Sequence, residues 1–342
     1  MTRNRPLLIL GLAVVALLSV SVVQRVLHRR AVTAPATATV VAADFDPADI
    51  NRVTVGAGDD SLAVVLERLG EGWVARTAWD HPADARKLQE LLAAVDSLQG
   101  EFRSDEAAIL DDYGLGPQSG PVKVTLFGKD WQPVCALLLG ERADDGSGVF
   151  VRAPSSHAVY LTRTEVRGKL GLWSPEAKPE TRHFLDLSVF KTDAAGIRRI
   201  ALHQGDKTLV MEKVLTAAGP GDGSAPPPQD WEWTLTAPSR RALAKTKVDG
   251  VMNAMAAVQA ADVADPGVGM EKYGLWKAER RVEVTLADGS TFELRVGDAR
   301  PAGDGVQEGR YCMTSRDRKI WVIREFKIDQ IFKKLEDLLP DA

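Results

Sequence analysis

The tripeptide Tyr113-Gly114-Leu115 returns 160 residues later as Tyr273-Gly274-Leu275, and the same shift aligns a long stretch around it without a gap. Trp73 falls on Trp233, Leu88 on Val248, Leu91 on Val251, Leu92 on Met252, Val95 on Met255, Leu98 on Val258, and the run Val122 to Leu126 on Val282 to Leu286. Farther on the offset drifts by a few residues, bringing Leu139-Gly140 onto Val296-Gly297, Phe150 onto Tyr311 and Val159-Tyr160-Leu161 onto Ile320-Trp321-Val322. Before it, Ile50 and Val53 match Ile197 and Ile200. Self-similarity of this extent means that whatever one copy folds into, the other folds into as well.

Each copy has the same local grammar. Alternating segments at Ile50 to Val55, Leu62 to Leu66 and Trp73 to Arg76 read as short strands. An apolar stripe at helical spacing follows, with Leu88, Leu91, Leu92, Val95 and Leu98 on one face of a helix over about 83–98. Four more strands, at about 121–127, 133–139, 148–152 and 157–162, precede a short helix near 165–170. Gly128-Lys129 and Ala287-Asp288-Gly289 are hairpin turns at equivalent places. Hairpins on both sides of one helix predict the α+β class, as two tandem homologous modules, each a mainly antiparallel sheet with one long amphipathic helix.

The N-terminus differs from the rest. Leu7 to Val23 is uncharged, with Arg3 and Arg5 before it and Arg25, Arg29 and Arg30 after it, at the lower edge of the length that spans a bilayer. The following Gln24 to Arg30 lacks the neutral, small-residue end of a cleavable signal peptide, so the segment reads as an uncleaved transmembrane helix touching lipid through residues 7–23. A cleaved signal and a buried helix are the competing readings. Basic residues flank both ends about equally and say little about orientation. The C-terminal bulk is placed outside the cytoplasm. The expected division is an anchor over 1–30, a spacer over 31–44, a first repeat over 45–171, a bridge over 172–196 and a second repeat over 197–342.

Without the five arginines of the anchor region, 38 basic residues face 47 acidic ones, a net charge of about −9 that repels nucleic acid and anionic head groups. The histidines, His28, His81, His157, His183 and His203, are scattered and form no zinc-binding spacing. Asp144-Asp145-Gly146-Ser147-Gly148 lacks the ligand alternation and closing Glu of a calcium loop. Gly219, Gly221 and Gly223 do not open a helix after a strand, and no Gly-x-Ser-x-Gly elbow exists. Asp111-Asp112 reads as a helix end. No catalytic residue, metal or cofactor is therefore expected. Cys135 and Cys312 fall in different modules and read as buried free thiols, with a bridge between modules as the alternative.

Trp73, Trp233 and Trp321 occupy repeat-equivalent strand positions and belong to the core. Trp79, Trp131, Trp173 and Trp276 have no aromatic counterpart in the other copy, which makes them the candidates for contact with a partner or ligand. Tyr113 and Tyr273 read as structural, each followed by a glycine suited to a turn that other residues resist.

The order Trp, amphipathic helix, Tyr113-Gly114-Leu115, strand, Leu139-Gly140-Glu141, strand and Val159-Tyr160-Leu161, repeated through Tyr273-Gly274-Leu275 and Val296-Gly297-Asp298, resembles the bacterial family catalogued as domain of unknown function 4340. The likeness covers nearly all of 45–338, and Arg182-His183-Phe184-Leu185-Asp186-Leu187 looks like that family's bridge into a further copy. Members accompany membrane components of gliding-motility-type ABC export systems. The resemblance thus implies a non-enzymatic accessory or scaffold subunit on a bacterial cytoplasmic membrane, its bulk outside the cytoplasm, with ABC-type membrane subunits as partners. The alternative is an envelope module that binds a glycan or lipid in a cleft between the copies; an unrecognised hydrolase is the third reading.

Overall fold

A computed structural model describes residues 37–40, 45–58, 60–215, 231–303 and 306–340. The transmembrane helix expected over 7–23, and Gly219, Gly221 and Gly223, lie outside them. Among the described residues no helix is long and apolar enough to cross a membrane.

The chain is an α+β protein of antiparallel sheets and few helices. Its first strands are β1 (Thr37–Thr39), β2 (Arg52–Ala57), β3 (Asp60–Leu69), β4 (Gly72–Ala75), β5 (His81–Pro82), β6 (Gln99–Ser104), β7 (Val122–Phe127), β8 (Pro133–Arg142), β9 (Val149–Arg152) and β10 (Val159–Thr162). There follow β11 (Ser188–Lys191), β12 (Ile197–Gln204), β13 (Lys207–Leu215), β14 (Trp231–Ala237), β15 (Arg241–Ala242), β16 (Ala257–Gln259), β17 (Asp262–Ala264), β18 (Arg280–Leu286), β19 (Thr291–Arg300), β20 (Gly309–Thr314) and β21 (Ile320–Ile323). Of the helices, α1 (Ala85–Asp96) and α3 (Lys245–Ala256) are the long ones, while α2 (Val166–Lys169) and α4 (Glu325–Ile331) are short.

The fold divides into two compact units: residues up to Ala63 with Arg86–Pro179, and Val64–Ala85 with residues from Glu180 onward. The chain leaves the first unit inside β3 and returns to it at the start of α1. In the first unit the strand order is β1-β6-β10-β9-β8-β7-β2. In the second it is β15-β14-β13-β12-β18-β19-β20-β21-β17, with β11 and β16 forming a separate pair. The run β2-β7-β8-β9-β10-β6 thus has the same order as β12-β18-β19-β20-β21-β17.

Alternation explains why these segments are strands. In β7, Val122, Val124 and Leu126 are buried and sit opposite Leu139, Leu137 and Cys135 of β8. In β18, Val282 and Val284 are buried opposite Leu294 and Phe292 of β19. A two-residue period turns one face inward, so slipping either hairpin by one residue would expose the whole set. Both long helices bury the stripe read from the sequence: Leu88, Leu91, Leu92 and Val95 on α1, and Val248, Val251, Met252 and Met255 on α3.

Two expected connectors prove to be partly folded. Residues 37–39, assigned to the spacer, pair with Glu101, Gly100 and Gln99 of β6, and Val40 follows as a buried residue whose N–H donates to Leu98 O at 3.1 Å. Residues 188–191, assigned to the bridge, pair with β16 in the same way, and Thr192 N–H donates to Ala256 O at 2.9 Å. After each strand an aspartate caps a single 3-10 turn: Asp46 accepts from Ala48 N–H, and Asp193 from Ala195 N–H. A short strand and a capped turn thus precede the apolar pattern in both places.

His81 is buried in the second unit, with Nδ1 2.7 Å from Ala78 O, Nε2 3.2 Å from Ile320 O, and its ring edge-on to Trp321. Burial pushes its pKa below the ordinary 6.5; the Lys319 ammonium adds to this, and the two carbonyls and Asp317 oppose it. The folded chain thus resists a proton that the unfolded chain accepts, so the contribution of His81 is complete above pH 6.5 and declines as the pH falls below it. We expect urea midpoints to fall with acidification in that range, and His81→Gln to flatten the slope.

Candidate functional site

The two Tyr-Gly-Leu segments close the same lock. In the first unit a 3-10 turn over Asp111–Tyr113 ends at Gly114, φ +67°, with Leu115 N–H donating to Leu110 O at 2.9 Å. In the second a turn over Met270–Tyr273 ends at Gly274, also φ +67°, with Leu275 N–H donating to Met270 O at 2.9 Å. Each turn presses on a bulge in a long strand, where β8 shifts register against β9 and β19 against β20. A methyl group on Gly140 would lie 2.1 Å from Tyr113 O, and one on Gly297 would lie 2.0 Å from Tyr273 O. The rings above also match: Tyr113 meets Phe150 at 4.7 Å, and Tyr273 meets Tyr311 at 4.4 Å.

An arginine serves the bulge carbonyl in both units, from different elements. Arg167 of α2, 6% exposed, donates to Gly140 O at 3.0 Å and to Ser174 O and Pro175 O at 3.3 and 3.4 Å. Arg310 of β20 donates to Gly297 O at 2.8 Å and pairs with Glu325 at the start of α4. Burial pulls the Arg167 pKa down and the Arg142 guanidinium adds to that, though an arginine this far above neutrality keeps its charge. Neighbouring Arg142 binds Glu165, whose carboxyl it holds below the usual range.

Two clefts of about 430 Å³ each flank the first lock. One is lined by Gly114, Ser119, Glu141, Arg167 and Lys178, the other by Tyr113, Phe150, Asp112, Glu141 and Asp144. The second unit has a cleft of about 660 Å³ beside Thr208, Leu209, Pro238 and Leu335. Among the described residues no group of three or more His, Cys, Asp or Glu side chains is gathered to hold a metal ion. Cys135 and Cys312 are free and buried, and burial pushes the Cys135 thiol up to about 11 and Cys312 up as well.

Trp73, Trp233 and Trp321 are buried. Trp79, Trp131, Trp173 and Trp276 are 45%, 50%, 73% and 61% exposed. Trp131 and Trp173 belong to the first unit, Trp79 and Trp276 to the second. In neither unit do its two rings pair, and none of the four lines the clefts described above. Trp173 lies against α2, where a methyl group on Gly168 would meet its ring at 2.9 Å. Trp231 is a further exposed ring, 43% open beneath the Arg198 guanidinium, and sequence reasoning misses it. Trp231 and Trp233 share one face of β14, so the two-residue period gives no sign that Trp231, at the strand's first position, is open.

Trp79 (φ +52°) and Trp131 (φ +63°) occupy the left-handed region, which strongly disfavours bulky side chains. Trp131 closes the β7–β8 turn, where Trp131 N–H donates to Gly128 O and Gly128 N–H to Gln132 O. The matching β18–β19 turn has the same two bonds, from Gly289 to Leu286 O and from Leu286 to Ser290 O, and its left-handed residue is Gly289, φ +83°. One hairpin thus places a half-exposed tryptophan where its counterpart uses glycine.

The family model described as domain of unknown function (DUF4340) matches residues 73–264 and again residues 233–341. The chain belongs to the DUF4340 family. The two DUF4340 matches begin at Trp73 and Trp233, the buried pair that the 160-residue shift superimposes. No curated protein and no solved structure matches this DUF4340 chain.

Proposed function

We propose that this chain is a non-enzymatic, membrane-anchored accessory protein outside the cytoplasm, built from two divergent copies of one α+β module, that holds protein subunits of an ABC-type export complex through exposed tryptophans. The duplication is supported by the shared strand order, the two glycine locks, the two aromatic pairs and the matched opening strands. The anchor reading rests on Leu7 to Val23 and its arginine flanks.

The observation that carries the contact role is Trp131. A bulky residue in the left-handed region costs about 1–2 kcal/mol where glycine would not, and such strain concentrates at working surfaces. Half of the tryptophan surface is covered in the free protein, a burial comparable in size to that cost, which leaves the exposed half of the ring available to a partner. Trp131→Gly is therefore expected to cost no more than about 1–2 kcal/mol of stability, well below a usual loss of half-buried tryptophan, because relief of the backbone strain offsets part of the lost burial. The same change should reduce recovery of ABC-type membrane and ATPase subunits after in-cell crosslinking of the full-length protein. Capture unchanged in Trp131→Gly combined with Trp173→Ala would refute the contact role, and recovery of glycans or lipids alone would favour the ligand-binding alternative.

A further inference from the structure

We propose that the β1 edge of the first unit lies against the bilayer, with Phe102 and Tyr160 as its aromatic contact with the interfacial layer of the lipid. This placement deepens the anchor reading and rests on it. Chain length sets the first constraint. Thirteen residues, 24–36, separate Val23, the last of the apolar segment, from Thr37, the first residue of β1. Fully extended they reach roughly 45 Å at most, so the point where the chain joins the sheet is held within that distance of the apolar segment's end.

The join is firm. β1 makes three paired positions with β6, and Val40 is buried directly after it, against Gly100, where a side chain would meet the Val40 methyl at 2.9 Å. This pairing and the burial of Val40 tie the sheet edge to the tether.

Direction along the edge follows from the register. Thr37, the end nearest the anchor, sits opposite Glu101, so the membrane-proximal side of β6 is the one that continues to Phe102 and Arg103. Phe102 is 50% exposed there, opposite Tyr160 of β10, with the two rings edge to face at 5.9 Å. Aromatic rings at a fixed depth suit the head-group layer, where one side of the ring is apolar and the other wet. The net negative charge of the soluble part makes ring burial, and not attraction to anionic lipid, the contact.

The test uses the full-length protein reconstituted into phosphatidylcholine vesicles, with an environment-sensitive fluorophore on Phe102→Cys. Cys135 and Cys312 are buried and leave the introduced thiol as the reactive one. Trp131→Cys is the control, since β8 lies four strand spacings from β1, roughly 20 Å. Arg103→Cys is a second reporter should Phe102→Cys fail to fold. Flotation with the vesicles is scored first. The expected result is quenching by nitroxide-bearing lipid several-fold greater at position 102 or 103 than at 131. Flotation with no such difference would overturn the inference while leaving the anchor standing. Shielding from an aqueous quencher without lipid quenching would also overturn it, pointing to a protein neighbour. Failure to float would remove both the anchor and this contact.

Discussion

Gly140→Ala is expected to destabilise the first unit by about 3 kcal/mol, enough to prevent folding in a marginal background. The added methyl would stand 2.1 Å from Tyr113 O and 2.8 Å from Leu115 Cγ. The nearer atom is backbone, fixed by the hydrogen bonds of the turn over Asp111–Tyr113, so the neighbour cannot rotate away. Relief requires separating the turn from the bulge, which would uncover Leu115 and Leu139, both buried. Gly297→Ala should do the same in the second unit, where the methyl would lie 2.0 Å from Tyr273 O. Urea unfolding of the two variants measures the cost. Gly196→Ala is the control, because nothing lies within 4 Å of its would-be methyl. Wild-type midpoints in the lock variants would show that the turn and bulge are looser than described.

The next largest effect is expected at Arg167. Its guanidinium answers three carbonyls at once, and truncation to alanine leaves Gly140 O, Ser174 O and Pro175 O without that donor. One buried acceptor left unpaired costs about 1–3 kcal/mol, so we expect Arg167→Ala to lose about 3 kcal/mol, allowing water to reach the outer two. Arg167→Lys should recover only part, since an ammonium supplies the charge without the planar fork. The neighbouring Arg142–Glu165 pair is 40% and 49% exposed, and Arg142→Ala should cost no more than about 1 kcal/mol. Equal losses at positions 142 and 167 would mean that charge, and not the carbonyl network, is what α2 contributes.

The strands with strict alternation, and both long helices, are legible in the sequence because one face of each is buried. β6 escapes notice for the opposite reason. Gln99-Gly100-Glu101-Phe102-Arg103-Ser104 has no apolar period, and only pairing with β1 and β10 makes it a strand. β1 and β11 escape because strands of three and four residues carry too little pattern against an Ala- and Thr-rich or a mixed background. At the candidate site, the missing aromatic equivalence singles out four tryptophans that are all exposed. The backbone strain at Trp79 and Trp131 is a property of turn geometry. The equivalence of Trp131 to Gly289 emerges only from the matching turn hydrogen bonds, since the 160-residue shift sets Trp131 against Thr291. Arg167 gives none, because one arginine in a short amphipathic stretch looks the same whether it is solvated or buried.

The short strand ahead of the first repeat has a practical consequence for soluble preparations. A truncation at residue 45, where the apolar pattern begins, removes β1 and Val40 together. It bares the outer backbone N–H and C=O groups of Gln99–Glu101, which β1 otherwise pairs. An uncovered strand margin recruits strands from other molecules, so such a fragment is prone to self-association and aggregation even with its core intact. A fragment that keeps Thr37 to Val40 carries its own cover.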